Sequence, residues 1–202
     1  MMTTNIEMNE QCADIRPITR VLKQLSKAKL AKRRRRYAGT HYSVLLLLEP
    51  NCTELPAALL EDTVLQPIDK LVLLIVMKIA RQSSSNSFLP TQVQLARMAN
   101  VASPDTIWRA LLILRCSRWL SACQKILCKG DSFEPIAYVV NAKPLPIADT
   151  MFLDPHYVEF LEKCTGHAHA RVRKVADDAL SQLPEETRNR RVEHPTLASI
   201  KF

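Results

Sequence analysis

Residues 88–120 read FLPTQVQLARMANVASPDTIWRALLILRCSRWL, and this stretch decides the fold of the chain. Leu89, Pro90 and Thr91 predict the start of a helix, because Thr is a favoured N-cap and Pro does not continue a helix backwards. Apolar residues then recur along one side of a short predicted helix: Val93, Leu95, Ala96 and Met98. Ala96 is small where a second helix must approach closely.

A second helix is predicted directly after this one. Asn100 ends the first helix, since Asn tolerates the left-handed conformation that a helix end often needs. Ser103 and Pro104 form the next start signal, and Asp105 places an acid in the first turn. Ile107, Ala110, Leu111 and Leu114 recur at helical spacing and predict the inward face. The opposite, hydrophilic face carries Asp105, Thr106 and Arg109, and Trp108 and Ile113 are further candidates for it.

Two short strands are predicted after the second helix. Residues 119–127 alternate well enough for a strand that opens at a buried Trp119, residues 129–132 predict a turn, and residues 136–140 predict a second strand. Two helices joined by a turn and followed by a β-hairpin are typical of a winged helix-turn-helix. In such a motif the second helix enters the major groove of duplex DNA. A structural helical hairpin is the alternative.

The positive charge is concentrated near the start of the chain. There are 28 Lys+Arg against 20 Asp+Glu, and nine of the basic residues and no acid lie within residues 17–36. The run Arg33, Arg34, Arg35 and Arg36 predicts an arm that binds DNA phosphates. A solvated charge run and an anionic membrane surface are the alternatives. A second basic bias sets Arg97, Arg109, Arg115, Arg118, Lys125 and Lys129 against Asp105 alone within residues 92–129.

The first residues and the apolar runs bear on the compartment. Acidic residues and the lack of an apolar run near residue 1 argue against a signal peptide. The apolar runs at 44–48 and 71–77 are too short to cross a bilayer. We therefore expect a bacterial cytoplasmic, nucleoid-associated protein that does not bind membranes. Its six cysteines are then expected to be reduced thiols.

The composition favours a mostly α fold, because there are only three glycines and 5% aromatic residues, and the two predicted strands add a small β-hairpin wing. We predict a winged helix-turn-helix domain with an N-terminal basic helix and C-terminal helices. Residues 40–49 read as a strand or a buried segment. The expected organisation is a disordered start and basic helical arm at 1–36, a connecting segment at 37–66, the winged helix at 67–145, a C-terminal helical extension at 146–183 and a mobile tail at 184–202.

Motifs for enzymatic or metal chemistry are weak in this sequence. There is no G-x-x-x-x-G-K-[ST] loop for ATP. His167 and His169 superficially match the paired histidines of metal-dependent nickases, with Tyr157 as a partner, but they fall between two predicted helices rather than on a strand. Cys164 with these histidines lacks the two close ligand pairs usual for zinc. We therefore predict a protein that is not an enzyme and has no cofactor, metal or catalytic residue.

Parts of the chain resemble known families. The Leu89-Pro90-Thr91 start and the Thr106-Ile107-x-Arg109-Ala110-Leu111 core resemble the DNA-reading domain of winged-helix bacterial regulators, although the turn Val101-Ala102-Ser103 is one residue longer than usual. Residues 54–183 are similar to replication-associated proteins of pathogenicity islands and integrative conjugative elements. The motifs that carry this second resemblance are residues 55–63, Pro67-Ile68-Asp69, Leu114-Arg115, Arg118-Trp119-Leu120, Tyr138, Pro144-Leu145, Leu153-Asp154-Pro155-x-Tyr157 and His167.

Sequence-directed binding of double-stranded DNA, in replication or maintenance of a mobile genetic element, is the resulting expectation. The residues expected to contact DNA are Arg33, Arg34, Arg35, Arg36, Thr91, Gln92, Ser103, Asp105, Thr106, Arg109, Lys125 and Lys129. Arg109 is the best candidate for a guanine contact. A transcription regulator with the same reader domain and an interaction module for replication or partition proteins are the alternatives. A homodimer is left open.

Overall fold

The computed structural model describes residues 44–47, 55–82, 87–123 and 137–184. Within these ranges the chain is mostly helical with a small sheet, as the composition predicts. The helices are α1 (Ala57–Glu61), α2 (Pro67–Gln82), α3 (Gln92–Met98), α4 (Pro104–Cys116), α5 (Ile147–Leu153), α6 (Tyr157–Thr165) and α7 (Ala170–Ser181). The strands are β1 (Val44–Leu47), β2 (Ser87–Phe88), β3 (Leu120–Cys123) and β4 (Ala137–Val140).

The sheet joins three four-residue strands, and the two-residue β2 lies at one edge, in the order β2-β1-β4-β3. β3 and β4 are consecutive antiparallel strands, in register at Leu120 with Val140 and Cys123 with Ala137. β1 runs parallel to β4 and antiparallel to β2. Sequence alone does not decide between a strand and a buried segment at 40–49, and the structure places a strand there. β1 thus separates β2 from the β3–β4 pair.

Helix α4 is the centre of the core. It packs against α2, α3, α7 and β3, and its second half is buried on every side because consecutive positions from Ala110 to Leu114 are all apolar. Ile113 is 1% exposed, so it belongs to the core and not to the hydrophilic face. A helix that is apolar all round is expected in the interior of a fold. Only the first turns of α4 are therefore free to meet a partner.

The C-terminal helices complete this core. α6 and α7 pack against each other, and α7 also packs on α4. One face of α7 is buried, and so is a residue just beyond its end: Val172, Val175, Ala176, Ala179 and Leu183. α5 was not predicted from the sequence. The C-terminal helices thus form one body with α4.

Three long-range polar contacts hold this arrangement together. The indole Nε1 of Trp119 donates to Asp62 Oδ2 at 2.8 Å, which links the start of β3 to the end of α1. The Tyr157 hydroxyl donates to the carbonyl of Cys116 at 2.6 Å and ties α6 to the end of α4. Arg115 pairs with the buried Asp154. Each contact satisfies a polar group that burial would otherwise penalise.

Candidate nucleic-acid interface

The start of α3 is fixed by a capping box. Thr91 Oγ1 accepts from the backbone N–H of Gln94 at 3.3 Å, and Gln94 Oε1 accepts from the backbone N–H of Thr91 at 2.9 Å. This reciprocal pair satisfies two donors that have no partner within the helix. Thr91 is exposed and Gln92 is half-buried. Both predicted contact residues therefore lie at a rigid, accessible helix start.

The turn between α3 and α4 takes the predicted form. Asn100 has φ 53°, in the left-handed region. The backbone N–H of Val101 donates to the carbonyl of Ala96 at 2.9 Å, which closes the end of α3. Leu95 and Ala96 are buried against α4, where the small Ala96 side chain allows close approach. This turn sets the direction in which α4 leaves α3.

The first turns of α4 carry the polar residues that the sequence assigned to DNA. Ser103 is the N-cap and Pro104 the first helical residue, as predicted, but the Ser103 side chain makes no capping hydrogen bond. Asp105 is exposed, while Thr106 and Arg109 are half-buried. Trp108 is 41% exposed, which places it on the outer face. The structure therefore brings the predicted α4 residues together on one accessible surface.

The guanidinium of Arg109 is positioned within this surface. It donates to the hydroxyl of Thr106, one turn earlier, at 2.9 Å. Residues three apart on a helix are neighbours on its surface, so this contact forms without distorting the helix. A guanidinium has five N–H donors, and one bond to a hydroxyl leaves others for a second acceptor. Arg109 can thus be held by Thr106 while it contacts a base or a phosphate.

A turn from the C-terminal region borders the same surface. His167, Ala168 and His169, here the 167–169 turn, connect α6 to α7. Together with Asp105, Trp108 and Arg109 they line a cleft of about 400 Å³. The sequence does not indicate that these histidines belong to the interface. The His-Ala-His spacing resembles only a metal motif, and the contact with α4 cannot be read from the sequence because the two segments lie far apart along the chain.

Hydrogen bonds from Arg173 of α7, and one hydrogen bond within the turn itself, hold the 167–169 turn in place. Arg173 donates to the carbonyls of His167 and Ala168, both at 2.8 Å. The backbone N–H of His169 donates to His167 Nδ1 at 3.0 Å. Since Nδ1 accepts this bond, Nε2 is the ring nitrogen of His167 that is left to donate. The turn therefore presents a fixed backbone and an N–H donor on His167.

The electrostatic environment of this turn is positive. The pKa of His169 lies below its ordinary value of 6.5, first because of desolvation and then because Arg109, His167, Arg171 and Arg173 repel the charged form. Arg171 pairs with the buried Asp69 and donates to the carbonyl of Val64 at 3.0 Å. An anion in the cleft would meet the guanidinium of Arg109, the two imidazoles and one carboxylate, that of Asp105.

Six of the expected DNA-contacting residues lie outside the residues that the structure describes: Arg33, Arg34, Arg35, Arg36, Lys125 and Lys129. Within the described residues, no group of three or more His, Cys, Asp or Glu residues is arranged to hold a metal ion. Cys116 and Cys164 are buried thiols outside any disulfide, and Cys123 is also buried. Among the helices of the described ranges, none has the length and apolar character needed to span a membrane.

Comparison with known proteins adds no family assignment. No family model matches the chain, and neither the curated proteins nor the solved structures yield a match.

Proposed function

We propose that the chain binds double-stranded DNA in a sequence-directed way through a winged helix-turn-helix formed by α2, α3, α4 and the β3–β4 pair. The observation that carries this proposal is the contrast within α4. Its second half is buried on every side, whereas its first turns expose Asp105 and Trp108 and leave Thr106 and Arg109 half-buried. A recognition helix meets bases with its N-terminal residues.

The order of elements supports the same proposal. Two helices joined by a tight turn precede two antiparallel strands, and the wing would be the connection between those strands. Thr91 and Gln92 lie at the capped start of α3, and they would contact backbone phosphates. Lys125 and Lys129 would contact phosphates from the wing. The basic residues at 33–36 would add affinity without sequence preference.

The biological setting is proposed from the resemblance of residues 54–183 to replication-associated proteins of mobile genetic elements. We propose an origin or maintenance site as the target. A transcription regulator would use the same chemistry at the DNA, so the position of the bound site, origin or promoter, separates the two roles.

The direct test selects binding sites from a random duplex library with the purified full-length chain. Selected and random duplexes are then compared by fluorescence anisotropy at about 50 mM and about 200 mM salt. The proposal expects a recurring motif, tighter binding to selected duplexes, and weaker binding to both at the higher salt. Absence of binding to any duplex at the lower salt contradicts it, and co-purification of a replication or partition protein would then favour an interaction module.

A further inference from the structure

The cleft between α4 and the 167–169 turn lies partly outside the helix-turn-helix, because only one of its walls belongs to that motif. One wall comes from the first turns of α4, through Asp105, Trp108 and Arg109. The other wall comes from the turn that precedes α7, which lies about sixty residues later in the sequence. The two walls belong to one body, because α7 packs directly on α4. A ligand that approaches the exposed start of α4 therefore also meets the turn.

We infer that the 167–169 turn is a second DNA-contacting element, which binds a backbone phosphate beside the bases that α4 reads. The inference rests on the proposed function. The hydrogen-bond donors of the cleft identify the occupant, since the guanidinium of Arg109 and the imidazoles of His167 and His169 line it, and Asp105 is the single carboxylate among its lining residues. Half or more of protein–DNA hydrogen bonds go to phosphates and sugars, and these contacts fix the register of the protein on the duplex.

Arg171 and Arg173 make contacts within the protein and are not among the residues that line the cleft. Arg173 donates to the carbonyls of His167 and Ala168, and Arg171 pairs with Asp69. Arg173 thereby holds the turn, and Arg171 ties the start of α7 to α2. Contact with a phosphate is left to Arg109, to the Nε2–H of His167 and to His169, because these groups line the cleft itself. Preorganised donors of this kind bind an anion with little loss of conformational freedom.

A phosphate at this position makes DNA binding depend on pH. In the free protein Arg109 from α4, Arg171 and Arg173 from α7, and His167 from the turn lower the pKa of His169, after desolvation. A bound phosphate reverses the balance and raises that pKa, so binding takes up a proton. The extra affinity is present below the pKa of the free protein and is lost as the pH rises through the pKa of the complex. The carboxylate of Asp105, on α4, lines the same cleft and opposes the phosphate.

Ala168 offers a test that removes no hydrogen bond. Its side chain is exposed and lines the cleft, and its carbonyl contact with Arg173 is made by the backbone. We compare Ala168→Glu, Ala168→Gln and Ala168→Lys in the full-length chain on selected and random duplexes. A carboxylate beside a phosphate is expected to weaken binding to both duplexes by about three- to tenfold. The glutamine variant should match the parent, and the lysine variant should bind more tightly and steepen the salt slope by about one.

His169→Gln supplies a second, independent readout. The parent should bind duplex DNA more tightly at pH 6 than at pH 8 at constant salt, and the variant should lose most of that difference while keeping its preference for the selected motif. Circular dichroism melts check that each variant is folded. Equal affinity and equal salt slope for all three Ala168 variants, with an unchanged pH profile in His169→Gln, overturn the inference. The proposed function then stands, because it is judged by motif selection with the parent protein, whereas failure of the parent to bind any duplex removes both.

Discussion

The guanidinium of Arg109 donates to the hydroxyl of Thr106 at 2.9 Å, so two side chains expected to meet bases contact each other in the free protein. This pairing orients the guanidinium before DNA arrives. It also means that the two residues act as a unit, and their substitutions should not be additive. The contribution of this pair to DNA recognition can be tested by substitution.

Arg109→Ala is expected to weaken binding to selected duplexes by about ten- to a hundredfold, as loss of one bidentate base contact does, and to change binding to random duplexes little. Anisotropy titrations on both duplexes measure the two effects. Lys78→Ala is the control, because Lys78 is an exposed cation on α2 and its removal lowers the net charge equally. An equal loss on selected and random DNA would reassign Arg109 to a phosphate.

Much of this site can be predicted from sequence because its boundaries are set by local chemistry. Thr91 with Gln94, Asn100, and Ser103 with Pro104 each act within a few residues, and each predicted helix boundary there is confirmed. Non-local contacts were not predictable in the same way. Nothing near Arg109 in the chain indicates that a turn at 167–169 packs beside it. The expectation that Ile113 could belong to the hydrophilic face is wrong for the same reason, since elements distant in sequence cover it.

The sheet and the C-terminal helices illustrate the same limit. The apolar run at 44–48 has no clear period, and only pairing with β4 identifies it as a strand. The longer helices α6 and α7 have a recognisable apolar face, and the predicted C-terminal helices are confirmed. The seven-residue α5 is too short for periodicity to reveal it. Its N-cap is Pro146, which offers no side-chain capping group to read from the sequence.

Asp62→Ala is expected to destabilise the fold by about 2 to 4 kcal/mol, because it leaves the buried Trp119 N–H unsatisfied. The same carboxylate accepts from the backbone N–H groups of Val64 and Leu65 at 2.8 and 3.1 Å, so three hydrogen bonds are lost. Urea unfolding measures the change in stability. In a Trp108→Phe background, the fluorescence reports Trp119 alone, since the chain has two tryptophans.

Glu61→Ala is the control for Asp62, because Glu61 is the exposed neighbouring acid and surface changes of this kind stay within about 0.5 kcal/mol. Similar losses in the two variants would indicate that the charge of the α1 end, and not the bond to Trp119, stabilises this corner.

Asp154→Ala is expected to cost about 3 to 5 kcal/mol, because it leaves Arg115 in a largely buried site without its carboxylate. Arg115 also lies 3.7 Å above the ring centroid of Phe160, so the guanidinium cannot turn freely to solvent. The double change Arg115→Met with Asp154→Leu should cost clearly less than the single one, since no unpaired charge remains. Urea unfolding of the two single variants and the double variant gives the coupling energy.

The control for Asp154 is Asp149→Ala, in the first turn of α5, where loss of a favourable helix-dipole interaction costs about 1 kcal/mol or less. If Asp154→Ala proved no worse than Asp149→Ala, the buried ion pair would contribute little to the attachment of the C-terminal helices.

Tyr157→Phe should reveal an alkaline limit of the fold. Burial raises the pKa of Tyr157 from 10.0 to about 12, with Arg118 acting in the opposite direction. The neutral phenol therefore contributes stability that is complete below pH 10 and is lost as the pH rises toward about 12. Near neutral pH the variant should be less stable by about 1 to 2 kcal/mol, because the carbonyl of Cys116 loses its donor.

The advantage of the parent over Tyr157→Phe should accordingly shrink between pH 10 and about pH 12 in urea unfolding. Burial also raises the pKa of Tyr138, but Tyr138 is present in both proteins and cancels in the comparison. A difference in stability that stays constant across this range would show that the phenol ionises without cost to the fold.

Replacing Arg33, Arg34, Arg35 and Arg36 by Ala should flatten the salt dependence of DNA binding. Each phosphate contact contributes about 0.9 to the slope of log K against log salt, so loss of one to four contacts lowers the slope by about 0.9 to 3.6. The motif preference should persist, because it is assigned to α4. Replacement of the same four residues by Lys keeps the charge and should keep the slope. If the alanine variant has the slope of the parent, the arm does not contact DNA, and the excess positive charge of residues 17–36 serves another purpose.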